Sequence, residues 1–258
     1  MISRIKVCAV SYLNTSPLVW GLVHGQQRGV FDLTFRIPSE CAAEVASGRA
    51  DIGIVPSIEL IDHAYGRVPD LGIAARGPVR SILLVSSRPL PEIRTLAADI
   101  SSRTSVALAG IILSRRYGVE PRVIPQPPDL QAMLAMADAA LIIGDPALLL
   151  DPARIRGRVV DLGAEWTHMT GLPMVFAVWA GRKDVITPDV EAVFQASYEF
   201  GRSHLEDIVR LEAPQRGISP ALAREYLTRH IVCHLGPAEI EGLELYLEYA
   251  RAGRQAAV

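Results

Sequence analysis

Five short stretches of the 258-residue chain place hydroxyl, amide or carboxylate side chains directly after an apolar run and directly before a helix start. Ser11, Tyr12, Asn14 and Thr15 stand between the run ending at Val10 and Pro17-Leu18. Pro56-Ser57 closes the β-branched run from Asp51 to Val55, and Ser101-Ser102-Arg103-Thr104-Ser105 precedes the periodic stretch from Val106 to Leu113. Gly144-Asp145-Pro146 ends the run Ala139–Ile143, and Asp161-Leu162-Gly163 ends a fifth. The first turn of a helix has N–H groups with no partner inside the helix and carries the positive end of its dipole, so each stretch is an anion-tolerant rim. Pro at a first helical position gives up no bonded N–H. Arg103 could add a cation to one rim. Asp145 is the carboxylate best placed for general acid–base chemistry, and it could equally cap its helix.

The remaining ionisable residues exclude several chemistries. Only Lys6 and Lys183 among the 26 basic residues are lysines, one inside an expected strand and one just after another, so Schiff-base catalysis has no good nucleophile. Cys8, Cys41 and Cys233 are widely spaced, form no Cys-x-x-Cys pair, and read as reduced core thiols. His230 and His234 have helical i, i+4 spacing, but no carboxylate completes a metal set and Gly236-Pro237 stops the helix. They read as helix-end histidines, and no metal is expected. With 26 basic and 28 acidic residues the formal charge is −2, too small to draw the chain to nucleic acid or an anionic membrane. No apolar run approaches the ~18 residues of a membrane span, and Val7–Val10 is short for a signal peptide, so a cytoplasmic location is expected.

The elements that must position these rims alternate. Strands are expected at Arg4–Val10, Asp32–Ile37, Asp51–Val55 and Leu71–Ala75, and helices at Pro17–Val23, Cys41–Ser47 and Ser57–Ala64, which is an α/β pattern. The apolar run Ser81–Ser86 leads to Arg88-Pro89-Leu90-Pro91, read as a crossover. A second series follows: Arg122–Pro125, the helix Leu130–Met136, the strands Ala139–Ile143 and Val159–Leu162, and a long strand Met174–Ala180 bringing the chain back. After Thr187 only helical periodicity remains, through Val190–Tyr198, Ala221–His230 and Ala238–Arg251. Half of the residues are apolar, enough for two lobes. Residues 1–86 and 181–258 are expected to form one lobe and 87–180 an inserted one. The expected architecture is a two-lobed type II periplasmic-binding-protein-like α/β fold, with two crossover strands and a ligand cleft at the carboxyl ends of the strands.

The blocks Val10–Leu18, Ala75–Ser81, Ser101–Ser105, Ile143–Leu148 and Thr170-Gly171-Leu172-Pro173, in that order, resemble the chorismate dehydratase family of the futalosine route to menaquinone. One departure is Ala98-Asp99-Ile100, where the family resemblance leads one to expect Leu-Asp-Thr. The resemblance implies the two-lobed fold and dehydration of chorismate to 3-[(1-carboxyvinyl)oxy]benzoate, with no metal or organic cofactor.

Chorismate is a dianion, so donors are needed at two places. The helix starts and their flanks supply them, and the expected substrate-binding set is Ser11, Tyr12, Pro56, Ser57, Ser102, Arg103, Thr104, Ser105, Gly144, Thr170 and Gly171. In it the Ser101–Ser105 turn takes one carboxylate, and Ser11, Asn14 and Ser57 take the other. Asn14, Ser81 and Asp145 are expected at the reacting centre. Two bases stay open: Asp145, or the enolpyruvyl carboxylate of the substrate itself, oriented by Asn14 and Ser81. Arg76 and Arg80 are expected at the surface or in ion pairs. Two other readings are a non-catalytic cytoplasmic small-anion binding module of this fold, and the sister enzyme that forms 1,4-dihydroxy-6-naphthoate, which would need a histidine beside the cleft. The partner expected is a small dianion, with the oligomeric state open.

Overall fold

The apolar run before Ser11 forms β1 (Lys6–Val10), and a short 3-10 turn over Leu13–Thr15 carries the chain into α1 (Ser16–His24). The computed structural model describes residues 4–99 and 101–256; Ile100, part of the Ala98-Asp99-Ile100 departure, lies outside them. Next come β2 (Asp32–Arg36), α2 (Pro38–Ala46), β3 (Ile52–Pro56) and β4 (Gly66–Ala75). The helix expected over Ser57–Ala64 is only a 3-10 turn, Ser57–Ile61, because β4 starts well before Leu71 and leaves too little chain for more. β4 bends at Pro69-Asp70, where Asp70 has a left-handed φ of 57° and the pairing with its neighbour slips.

The second series is β5 (Ile82–Ser86), β6 (Thr95–Asp99), α3 (Arg103–Tyr117), β7 (Arg122–Gln126), α4 (Leu130–Met136), β8 (Ala139–Ile143), α5 (Asp145–Leu148), β9 (Arg158–Asp161) and α6 (Leu162–Thr170). The chain returns through β10 (Met174–Gly181) and continues as α7 (Pro188–Ser203), α8 (Leu205–Gln215) and α9 (Pro220–Glu225). A π-helical turn (Tyr226–His230), β11 (Val232–His234) and α10 (Pro237–Ala256) complete it. His234 thus lies in a strand, and it shares no helix face with His230.

Two sheets result. The six-stranded sheet has the order β11-β4-β10-β3-β1-β2 and the five-stranded sheet the order β7-β6-β8-β5-β9. β5 runs antiparallel to β8 and β9, and β10 antiparallel to β3 and β4, whereas β1 and β6 pair in parallel with their neighbours. The chain therefore changes sheets at residues 76–81 and again at 171–173. Lobe limits at 86/87 and 180/181 would separate β5 and β10 from the sheets in which they pair.

Packing holds the two sheets close. Helix α7 lies close on α1 because each contributes a glycine to the seam: a Cβ on Gly201 would sit 2.0 Å from the Pro17 carbonyl oxygen, and one on Gly21 2.5 Å from the Ser197 Cα. The Ser197 hydroxyl fills the same seam, donating to Leu18 O at 2.9 Å and accepting from Leu22 N–H at 3.1 Å. Helix α10 reaches the other sheet, where the Tyr246 hydroxyl donates to Thr104 O at 3.1 Å and the Arg115 guanidinium lies 3.5 Å over the Tyr249 ring. All three cysteines are free and buried, with the Cys8 and Cys41 sulfurs 2.9 Å apart.

Candidate active site

Four of the five rims meet in one cleft between the sheets. Tyr12 and Asn14 follow β1, Pro56 ends β3, Ser102 and Ser105 open α3, and Ile143-Gly144 ends β8. Ser81 ends the first crossover and Ile82 opens β5, Phe176 and Ala177 come from β10, and Pro38 from the start of α2. The space they enclose is about 500 Å³, part of it open to solvent. Among the described residues no lysine, arginine, histidine or carboxylate lines it. The polar groups are neutral hydroxyls, one amide and helix starts, whose dipoles favour an anion without a cationic side chain.

The cleft is closed from side to side. The Tyr12 hydroxyl bonds Ser101 Oγ at 3.2 Å, Ser39 N–H donates to Ser101 O at 3.0 Å, and Ile58 N–H donates to Thr104 Oγ1 at 3.2 Å. Leu13 N–H donates to Asp145 Oδ1 at 3.0 Å. Gly144 makes the approach of Tyr12 possible: its φ is +67°, and a Cβ there would lie 2.6 Å from the Tyr12 ring. Burial pushes the Tyr12 phenol up to about 12, so it stays neutral.

Several expected binding residues face elsewhere, each for a local reason. The Arg103 guanidinium turns to the buried Glu59 carboxylate at 3.0 Å, which needs a counter-charge. Ser57 Oγ donates to Val175 O at 2.8 Å, satisfying a β10 carbonyl just beyond the ladder pair Ala177–Pro56. Thr104 spends its hydroxyl on Ile58 N–H and its carbonyl on Tyr246. Thr170 Oγ1 donates to Trp166 O at 2.9 Å and Gly171 ends α6 in the left-handed conformation, so both shape the return crossover. Ser11 lines a second cavity behind the β1–α1 turn, with Trp20, His24, Phe35 and Arg216. The fifth rim is structural: Asp161 caps α6 and takes the Val79 and Arg80 amides at 3.0 and 2.6 Å.

Asp145 does not line the cleft. Its second oxygen accepts Arg216 Nε at 3.0 Å, and Arg216 also pairs with Glu212 and donates to Ser11 O. Burial raises the Asp145 carboxyl, against the pull of Leu13 N–H and Arg216. Arg76 forms the expected ion pair, with Glu239. Arg80 instead has a left-handed φ of 66° and donates to the carbonyls of Ala147 and Leu150, which close the α5 end.

Comparison with known proteins decides the family. A family model described as menaquinone biosynthesis matches residues 5–252. The chain belongs to this menaquinone-biosynthesis family. A relative in Thermus thermophilus named chorismate dehydratase is 31% identical over 256 residues, which covers 92% of each chain. The crystal structure of protein AF1704 from Archaeoglobus fulgidus superposes with a TM-score of 0.80 at 15% identity, covering 99% of this chain and 100% of that one. The periplasmic aliphatic sulphonate binding protein SsuA from Escherichia coli gives a TM-score of 0.65 at 15% identity, covering 98% and 87%. These two structures establish the two-lobed periplasmic-binding-protein-like fold of this family member.

Two residues of the family member's site escape sequence reasoning. Tyr226 is 1% exposed and its hydroxyl donates to Ser81 Oγ at 2.8 Å. Arg216 holds Asp145. Neither sits in a rim motif, and nothing local in the C-terminal helices marks them.

Proposed function

We propose that the chain dehydrates chorismate to 3-[(1-carboxyvinyl)oxy]benzoate, as a cytoplasmic step of menaquinone biosynthesis by the futalosine route. The match to the Thermus relative over 92% of both chains carries this reading. The cleft supports it, because its polar lining consists of neutral donors beside helix starts. The sister naphthoate-forming activity would need a histidine, and none lines the cleft among the described residues.

Dehydration removes the proton from the ring carbon that bears the enolpyruvyl ether. The C–H electron pair completes the benzene ring, the C–O bond to the neighbouring hydroxyl breaks, and the departing oxygen takes up a proton to leave as water. The ring carboxylate accepts developing negative charge through the diene, so preorganised donors on that carboxylate lower the barrier. One such donor is typically worth about 10²- to 10³-fold in rate. In this reading Ser102, Ser105 and the start of α3 hold the ring carboxylate, and Asn14 and Ser81 orient the enolpyruvyl arm. The base is the enolpyruvyl carboxylate itself, because both oxygens of Asp145 are engaged outside the cleft. The lobes open and close about the two crossovers, residues 76–81 and 171–173.

The test is to incubate purified protein with chorismate, follow loss of its diene absorbance, and identify the product by mass. Loss of one water is expected, and Asn14→Ala and Ser81→Ala should each lower kcat/KM by about 10²- to 10³-fold. Intact chorismate beside folded protein would overturn the reading in favour of a small-anion binding module.

A further inference from the structure

We propose that Tyr226 is a positioning residue that aims the hydroxyl proton of Ser81 into the cleft. The proposal rests on the dehydratase reading, in which Ser81 meets the substrate. A serine hydroxyl has one proton and two acceptor lone pairs. Tyr226 donates to Ser81 Oγ at 2.8 Å and so occupies one lone pair. Ser81 is 1% exposed, lines the cleft, and has no protein acceptor for its own proton among the described residues. That proton therefore has the cleft as its outlet.

The backbone is built to hold Tyr226 there. It opens the π-helical turn, whose wide loop is closed by Ile231 N–H donating to Tyr226 O at 3.1 Å. At the far end of the turn, His230 Nδ1 lies 2.8 Å from the Pro78 carbonyl oxygen, on the same crossover that carries Ser81. Single π turns recur at functional sites. Burial pushes the phenol well above its ordinary value, so it remains a donor at every working pH.

Tyr226→Phe keeps the ring and deletes the donor. Chorismate turnover by parent, Tyr226→Phe, Ser81→Ala and the double variant completes a cycle. Tyr226→Phe should lose about 10- to 100-fold in kcat/KM, the scale of a misplaced contact. In the Ser81→Ala background the same change should cost less than about threefold, because the proton it aims is gone. Equal losses in both backgrounds, or none in either, would overturn the proposal. A second reading needs no activity. Protein labelled with 13C at tyrosine ζ carbons has a Tyr226 resonance, assigned by its loss in Tyr226→Phe, which should move on Ser81→Ala in the ligand-free state. An unmoved resonance overturns the proposal. An inactive parent overturns the dehydratase reading alone, and the proposal then stands or falls on the resonance.

Discussion

Asp145 and Leu13 meet beside the cleft, the carboxylate Oδ1 accepting the Leu13 amide hydrogen at 3.0 Å while Oδ2 holds Arg216 Nε, also at 3.0 Å. Leu13 precedes Asn14 in the chain, so this carboxylate braces the turn that carries a cleft donor. It ties that turn to α5 and to the end of α8 at once.

A brace and a base fail differently when mutated. Asp145→Asn keeps an oxygen for the Leu13 amide, and turnover should remain within about tenfold of the parent. Asp145→Ala leaves that amide and the partly buried Arg216 without their shared partner, and should cost about 1–3 kcal/mol of stability. Thermal melts and steady-state kinetics on both variants check this. A folded, chorismate-binding Asp145→Asn with no turnover would restore Asp145 as the base.

Arg103 is the cation nearest to a rim in sequence, yet its guanidinium serves Glu59. Arg103→Ala should therefore leave KM for chorismate within about threefold, since the guanidinium faces Glu59 and not the cleft. A rise in KM of a hundredfold would show that the side chain swings into the cleft to meet substrate.

The rate should have a broad pH plateau. Among the described residues no carboxylate, histidine or lysine lines the cleft, and the Tyr12 phenol titrates only at about 12. Substrate carboxylates ionise below about pH 4. The profile of kcat should therefore be flat from about pH 5.5 to 9 and fall on the acid side, where the substrate carboxylate that takes the proton becomes neutral. A limb centred near ~6.5 would point to a histidine.

Asp99 should couple stability to pH. Its Oδ1 accepts Ser101 N–H at 2.9 Å, but Oδ2 is buried without a partner among the described residues, and burial raises the carboxyl above its unfolded value. The folded state then binds the proton more tightly than the unfolded chain. Its stabilising share is complete below about pH 3.9 and is lost as pH rises through the raised folded value. Relative to the parent, Asp99→Asn should gain melting temperature between about pH 3.5 and 7. A difference that stays constant across that window would show that Asp99 is ionised in the fold throughout it.

The strand-to-helix junctions are written locally. An apolar run, a hydroxyl or amide, and a proline at the helix start need only their neighbours to declare themselves, and so four rims, the α/β pattern and Tyr12, Asn14, Pro56, Ser102, Ser105 and Gly144 could be read from the sequence before any contact was known, whereas Ser81, at the start of a strand, was singled out only by the family resemblance. The direction of long or bonded side chains could not. Arg103, Ser57 and Thr104 sit in the right motifs and face away, because Glu59, the Val175 carbonyl and the Ile58 amide were buried polar groups that had to be satisfied first. The sheet in which β5 and β10 pair, and the meeting of Tyr226 with Ser81 over 145 residues, depended on which strands and helices came together. Those contacts are long-range, and their energy exists only once both partners are buried in the same core, so the tertiary structure alone decided them.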